Sequence, residues 1–207
     1  AGYEPVPVPE HADLIVTGSA AEGAPGRVTL DPPGKTLLEG ARCPVAVAPR
    51  GLAGRGDHGL RRIDIGIDGG RGAATARALA VRLALAHSAR LRLVAVAELR
   101  FGIDGKARKA DPRELDRLAR RLEHATDGLA GVRVDTDLRE GLADQILVGL
   151  ARETDLLVLG SRAGYGDAGV ALGDVAARIL SAAPCPTLVV PATMGAAADG
   201  KGWSPAD

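Results

Sequence analysis

The sequence predicts an α/β fold: a doubly wound five-stranded parallel sheet, to which a partial second copy adds its own strands four and five. Three observations lead there. Apolar runs of strand length alternate with helix-spaced stretches from Arg62 to Val190. The run at 155–159 is apolar at nearly every position, as a strand covered on both faces must be. A strand–loop–helix–strand unit also occurs twice, ADLIVTGS (12–19) and CPVAVAP (43–49) against TDLLVLGS (154–161) and CPTLVVP (185–191). Gly18 and Gly160, Cys43 and Cys185, and Pro49 and Pro191 are each 142 positions apart (160 − 18, 185 − 43, 191 − 49). Two apolar strands and the spacing between them therefore recur without insertion or deletion.

In the complete copy the first strand is read at 63–67, ending in Asp68-Gly69-Gly70. The stretch 72–87, rich in Ala, Leu and Arg, has its apolar residues at helical spacing. A strand at 91–97 and a polar loop at 98–110 follow. Asp111-Pro112 opens a helix running to about residue 126, with proline in the first turn, where its missing N–H is not needed. A third strand at 132–136, a helix at 141–153 and the strand at 155–159 come next. The glycine-rich loop 160–173, a helix at 174–183 and a fifth strand at 187–190 complete the copy. In the partial copy, residues 1–10 stand opposite the helix-like 143–152, but Pro5, Pro7 and Pro9 favour an extended path. The chain is thus expected to divide into a partial copy at 1–49, a linker at 50–60, a complete copy at 61–191 and a loose tail at 192–207.

Composition narrows the function. Lys+Arg and Asp+Glu are equal at 26 each and aromatics are 2%, so neither the basic stripe nor the stacking platform that nucleic acid selects is present. No apolar run approaches the ~20 residues of a membrane span, and the first residues lack the pattern of a signal peptide. Two cysteines without C-x-x-C are too few for a disulfide framework, and a cytoplasmic setting is expected. Standing just before the fifth-strand segments, Cys43 and Cys185 read as small core residues.

Chemistry concentrates at the predicted carboxyl ends of the strands, where open α/β sheets bind ligands. The loop from Gly160 to Ala176 joins a strand end to a helix start, an arrangement that cradles phosphate through free N–H groups and the helix dipole. Gly164-x-Gly166-x-x-Gly169 matches a dinucleotide fingerprint only superficially, because the helix opens too late and nothing suitable follows. Pro33-Gly34-Lys35-Thr36 resembles part of a P-loop, but Thr29 stands where the motif needs its first glycine. A turn opening a short helix is the better account of it. Asp68 is a candidate ribose or metal-bridged phosphate contact, with a helix N-cap as the competing role. The scattered histidines and the cysteines lack metal-ligand spacing, and no nucleophile–base arrangement occurs, so no enzyme is expected.

Taken together, Asp68-Gly69, the strand LRLVAVAE (91–98), EGLADQILVGLARETDLLVLGSR (140–162), the glycine loop and APCPTLVVP (183–191) resemble the universal stress protein family. The resemblance implies a sheet in the order 3-2-1-4-5, as in adenine-nucleotide-hydrolase-like and flavodoxin-like folds. It also implies dimers or tandem pseudo-dimers joined through the fifth strands, here 43–48 and 185–190. The family's nucleotide-binding branch carries G-x2-G-x9-G-[S/T] and binds ATP with Mg²⁺. Carried over by position, Gly160 and Gly173 are the first and third glycines, and Asp68, Gly69 and Val96 meet ribose and adenine. Arg162, Gly164 and Val175 line the phosphate loop.

Two departures weaken that site. Ala163 replaces the second glycine, and Asp174 replaces the Ser/Thr. A carboxylate cannot donate to phosphate and places like charge on the helix dipole. At ~4 Å and an effective dielectric near 20 the repulsion is about 4 kcal/mol, nearly three decades of affinity, which bound Mg²⁺ would reverse. In the partial copy Ala21, Asp31 and Pro32 hold the corresponding positions, and Pro32 has no N–H to offer. Two functions are therefore carried forward: a stress-response module working through homo-oligomeric assembly with weak or lost nucleotide binding, and an ATP-binding sensor in the complete copy, with slow hydrolysis as its only enzymatic option.

Overall fold

The computed structural model describes residues 12–55, 59–101, 107–161 and 172–192. The proline-rich start and the tail beyond residue 192 lie outside them. The chain begins with β1 (Ile15–Gly18), α1 (Pro32–Gly40) and β2 (Val45–Ala48). The segment read as a linker holds a short 3-10 turn at Leu52–Arg55. Then come β3 (Arg62–Gly66), α2 (Arg71–His87), β4 (Arg90–Glu98), the short strands β5 (Arg100–Phe101) and β6 (Ala107–Arg108), and α3 (Pro112–Thr126). The chain continues through β7 (Arg133–Gly141), α4 (Ala143–Leu150), β8 (Leu156–Gly160), α5 (Asp174–Leu180) and β9 (Thr187–Val190). No helix among the described residues is long and apolar enough to cross a membrane.

Seven strands form one sheet in the order β1-β2-β9-β8-β3-β4-β7. Every neighbouring pair is parallel except β2 and β9, which run antiparallel. Between 61 and 191, the third, second, first, fourth and fifth strands therefore stand side by side in that sequence. Antiparallel pairing at β2·β9 has a particular register: Val45 faces Val189, Ala46 faces Leu188 and Val47 faces Thr187. Ala46 and Leu188 are themselves 142 positions apart, so a local two-fold axis passes through that pair. A second bond, Val28 N–H to the Ala183 carbonyl at 2.8 Å, ties the same two regions together.

Helices cover both faces because the strands are apolar on both. Along β4, Leu91, Leu93, Ala95 and Ala97 enter the core beneath α2 and α3. Val94 enters the opposite core, shared by α1, α4 and α5. With so few aromatics, close approach replaces bulk: α2 meets the sheet through Ala73, Ala76, Leu79, Ala80 and Ala84. Helix starts follow local chemistry. Asp31 accepts from Gly34 N–H at 2.8 Å ahead of Pro32, and Asp111 accepts from Arg113 N–H at 2.9 Å ahead of Pro112.

The structure departs from expectation at four points. β7 extends to Gly141 rather than stopping at Thr136, and α4 begins at Ala143 rather than at 141. β7 borders the sheet and pairs with β4 along its whole length, so its charged residues lie on a strand edge, where they discourage further pairing. Asp137 and Arg139, two apart on one face, hold each other at 2.6 Å. The polar loop of 98–110 contains the antiparallel pair β5·β6. Finally, one charge lies inside the sheet. Asp64 on β3 is fully buried and accepts from Arg92 of β4, through Nε at 3.0 Å and Nη2, and from Thr154 Oγ1 at 2.5 Å.

Candidate functional site

At the carboxyl end of β3 the chain stays tied to β4 through Ile67 N–H to the Val94 carbonyl at 2.7 Å, then turns through Asp68, Gly69 and Gly70 into α2. Asp68 is not the helix cap that its position suggested. Its Oδ1 accepts from Gly70 N–H at 2.7 Å, a local turn two residues long, while Gly70 occupies the cap and brings no side-chain bond. The first turn of α2 therefore presents its N–H groups without a carboxylate of its own against them. Gly69 adopts φ +80°, and a Cβ there would fall 2.1 Å from the Arg121 guanidinium carbon. Arg121 reaches over from α3 and donates to the Asp68 carbonyl at 2.6 Å. No sequence signal singles Arg121 out, since it sits among similar arginines on an exposed helix.

Gly160 ends β8 against this same turn. A Cβ on Gly160 would lie 2.3 Å from the Gly72 carbonyl carbon, and one on Gly72 would lie 1.9 Å from the Ser161 carbonyl oxygen. The two backbones meet directly, which brings Asp68, Gly69 and Gly160 to one edge of the sheet. Ser161 then anchors the segment after β9: its N–H donates to the Val190 carbonyl at 2.8 Å and its Oγ accepts from Ala192 N–H at 3.1 Å. Thr75 Oγ1 closes the loop on the Ala192 carbonyl at 3.0 Å.

Val96 is half-buried on β4, paired with Arg139 and packed on the face that also receives Val175. Gly173 caps α5 without a side-chain bond, and Asp174 is the exposed first residue of that helix. The partial copy differs at the matching place, where the Asp31 carboxylate already occupies the start of α1. Arg162, Ala163 and Gly164 lie outside the described residues. Among the described residues no group of three or more His, Cys, Asp or Glu is placed to hold a metal. Burial pushes the Cys185 thiol up to about 12 and also raises Cys43, so both are protonated at neutral pH.

Two clefts flank the sheet. One of about 140 Å³ lies beside the Gly69-Gly70 turn, between α2 and α3; its Arg77 is committed to the Ala125 and Asp127 carbonyls at 2.6 and 2.7 Å. The other, about 360 Å³, opens at the opposite, amino edge and is lined by Arg61, Arg62, His87, Ser88, Arg90 and Arg133. Three of those arginines are engaged: Arg62 with Glu153 at 3.6 Å, Arg90 with Asp135 at 3.5 Å, and Arg133 with the Ser88 carbonyl at 2.6 Å.

Comparison with known proteins bears on these features. The model of the universal stress protein family matches residues 59–191. A universal stress protein of Mycobacterium tuberculosis is 30% identical over 161 residues, covering 73% of this chain and 56% of that protein. The chain thus spans little more than half the length of that curated relative. The crystal structure of a universal stress protein from Archaeoglobus fulgidus superposes with a TM-score of 0.59 at 18% identity, over 86% of this chain and 60% of the other, a likeness of fold. A universal stress protein solved in complex with cAMP is more distant, with a TM-score of 0.48 at 22% identity over 65% of this chain and 99% of that one.

Proposed function

The chain belongs to the universal stress protein family, and we propose that it serves a cytoplasmic stress response through assembly across β2 and β9, with nucleotide binding weak or lost. One observation carries the assembly reading: β2 and β9 pair antiparallel about Ala46 and Leu188, which hold the same place in the two copies. An interface in which residue i meets its own equivalent is the isologous geometry of two-fold dimers. Here one chain supplies both sides, a pseudo-dimer of the partial copy at 1–49 and the complete copy at 61–191. Homo-oligomers would extend the same principle between chains.

Weak nucleotide binding follows from charge. Asp31 fills the start of α1 with its own carboxylate, and Asp174 stands exposed at the start of α5. Each sets negative charge where a phosphate would sit. Calorimetric titration with ATP, with and without Mg²⁺, tests this. The expected result is no binding tighter than micromolar without the cation, and a site tightened by about one to three decades in Asp174→Ser, following the repulsion estimate. Sub-micromolar binding by the unaltered chain without Mg²⁺ would discard the reading.

The second reading, an ATP-binding sensor in 61–191, is favoured by the carboxyl-edge meeting of Asp68, Gly69 and Gly160 beside an α2 start that lacks a side-chain cap. It requires ATP-Mg to protect the amides of 160–175 from hydrogen exchange, and their indifference would exclude it.

A further inference from the structure

The amino edge of the sheet gathers charge of one sign. β3, β4 and β7 each begin on an arginine, and the register sets the three side by side: Arg62 beside Arg90, and Arg90 beside Arg133. Neighbouring strands lie about 4.8 Å apart, so the row is about 10 Å long. Like charges set opposite one another cost stability. Two residues further along, the same strands place Asp64, Arg92 and Asp135 side by side. That row alternates in sign, and Arg92 closes on Asp64 within it. The first row has no such internal partner.

The row borders the amino-edge cleft of about 360 Å³, which Arg61, His87 and Ser88 complete. Four arginines and a histidine line it, and no carboxylate does. Acidic and basic residues balance over the whole chain, so charge is segregated here. Neighbouring acids restrain the row only loosely. Glu153 and Asp135 approach Arg62 and Arg90 at 3.6 and 3.5 Å, longer than the roughly 2.7–2.9 Å of a charge-assisted hydrogen bond. Both pairs lie open to water, where such pairs add little. Arg62 Nη1 also donates to the Glu153 carbonyl at 3.0 Å. Asp155 Oδ2 accepts the backbone N–H groups of Arg61 and Arg62 at 2.9 and 2.8 Å. Among the described residues the Arg61 guanidinium itself has no acceptor. The carbonyl end of α2 attracts cations, but of the four arginines only Arg133 is bonded there, to the Ser88 carbonyl at 2.6 Å.

We infer that this amino-edge cleft binds an oligophosphate, a short chain of phosphate groups laid along the arginine row. Planar guanidinium forks take phosphate oxygens in pairs. Successive phosphates let one ligand reach arginines on adjacent strands, which a lone carboxylate cannot do. No Phe, Tyr or Trp lines the cleft, so a base finds no aromatic platform there. Two sources carry this chemistry: inorganic oligophosphate, and the tail of a nucleotide whose base stays in water. The cleft lies at the opposite edge of the sheet from Asp68, Gly69 and Gly160 and depends on neither functional reading.

Calorimetric titration of the full chain with sodium tripolyphosphate, without divalent cation, tests this assignment. Saturable binding with a Kd below about 1 mM is expected, weakening as salt screens the row. Arg61→Gln and Arg90→Gln are each expected to weaken it by about tenfold or more, the loss of a hydrogen bond to a charged group. Their urea midpoints are expected to hold. Arg61 has no acceptor to lose, and Arg90→Gln removes the repulsion of two neighbouring arginines along with its long pair to Asp135. Mg-free ATP titrated in parallel separates the sources. An ATP affinity that falls in both variants identifies the nucleotide tail as an occupant, and indifference leaves inorganic oligophosphate. Four results would each overturn the assignment: no heat at millimolar tripolyphosphate, binding no tighter than that of sulfate, affinity retained in both variants, or a loss accompanied by a lowered midpoint.

Discussion

From sequence, the place of Gly160 in the glycine loop predicts a phosphate contact. Its geometry adds a steric role: the backbone of Gly72 lies where a Cβ would go, at 2.3 Å. Gly160→Ala is therefore expected to destabilise the chain by about 1–3 kcal/mol through overpacking against backbone that cannot rotate away, read as a lowered urea midpoint at unchanged slope. A residue serving only a ligand would leave the midpoint where it was. The contact joins residues far apart in the chain, and nothing local to either glycine announces the other. For the same reason Asp68 was open to a capping role from sequence, whereas its actual partner, Gly70 N–H, depends on how the turn enters α2.

At the scale of elements, what the sequence could reveal followed burial. Central strands are apolar throughout, and β9 was placed at the residues it occupies, Thr187–Val190. The sequence marks β7 only to Thr136 because a border strand is only half constrained by the core, and its charged outer half carries no apolar alternation. β3 contains the exception, a fully buried carboxylate inside RIDIG. Asp64 is satisfied by Arg92, whose guanidinium is held further above its ordinary range by that hydrogen bond, and by Thr154. Arg92→Met keeps the volume but leaves Asp64 buried with the threonine hydroxyl alone. The expected cost is about 3–5 kcal/mol, the penalty for stranding a buried charge, measured by denaturant unfolding. Replacing Arg92, Asp64 and Thr154 together by apolar residues of similar volume is expected to recover much of that loss, since a desolvated ion pair adds little net stability over a packed core.

Across the whole molecule, the repeat at constant offset was legible from sequence, because identity of spacing does not depend on environment. The phosphate loop was legible only as a pattern, since Arg162, Ala163 and Gly164 fall outside the described residues. What spacing alone left open was whether the two regions share one core. They do: Leu38 of α1, Val45 and Val47 of β2, and Cys185 and Val189 of the β9 region belong to a single buried cluster. β9 therefore owes its burial on one side to β2. Leu38 is fully buried in that cluster, and Leu38→Ala is expected to cost about 2–5 kcal/mol by opening a cavity. If the seam is cooperative, hydrogen exchange in this variant quickens not only in β1 and β2 but also in β9, because losing β2 uncovers the Thr187–Val190 edge. Amides of β3 and β4 are held by neighbours on both sides and respond less. Quickening confined to 12–48 would mean that the two regions merely touch, and that the β2·β9 pairing is too weak to serve as an assembly interface.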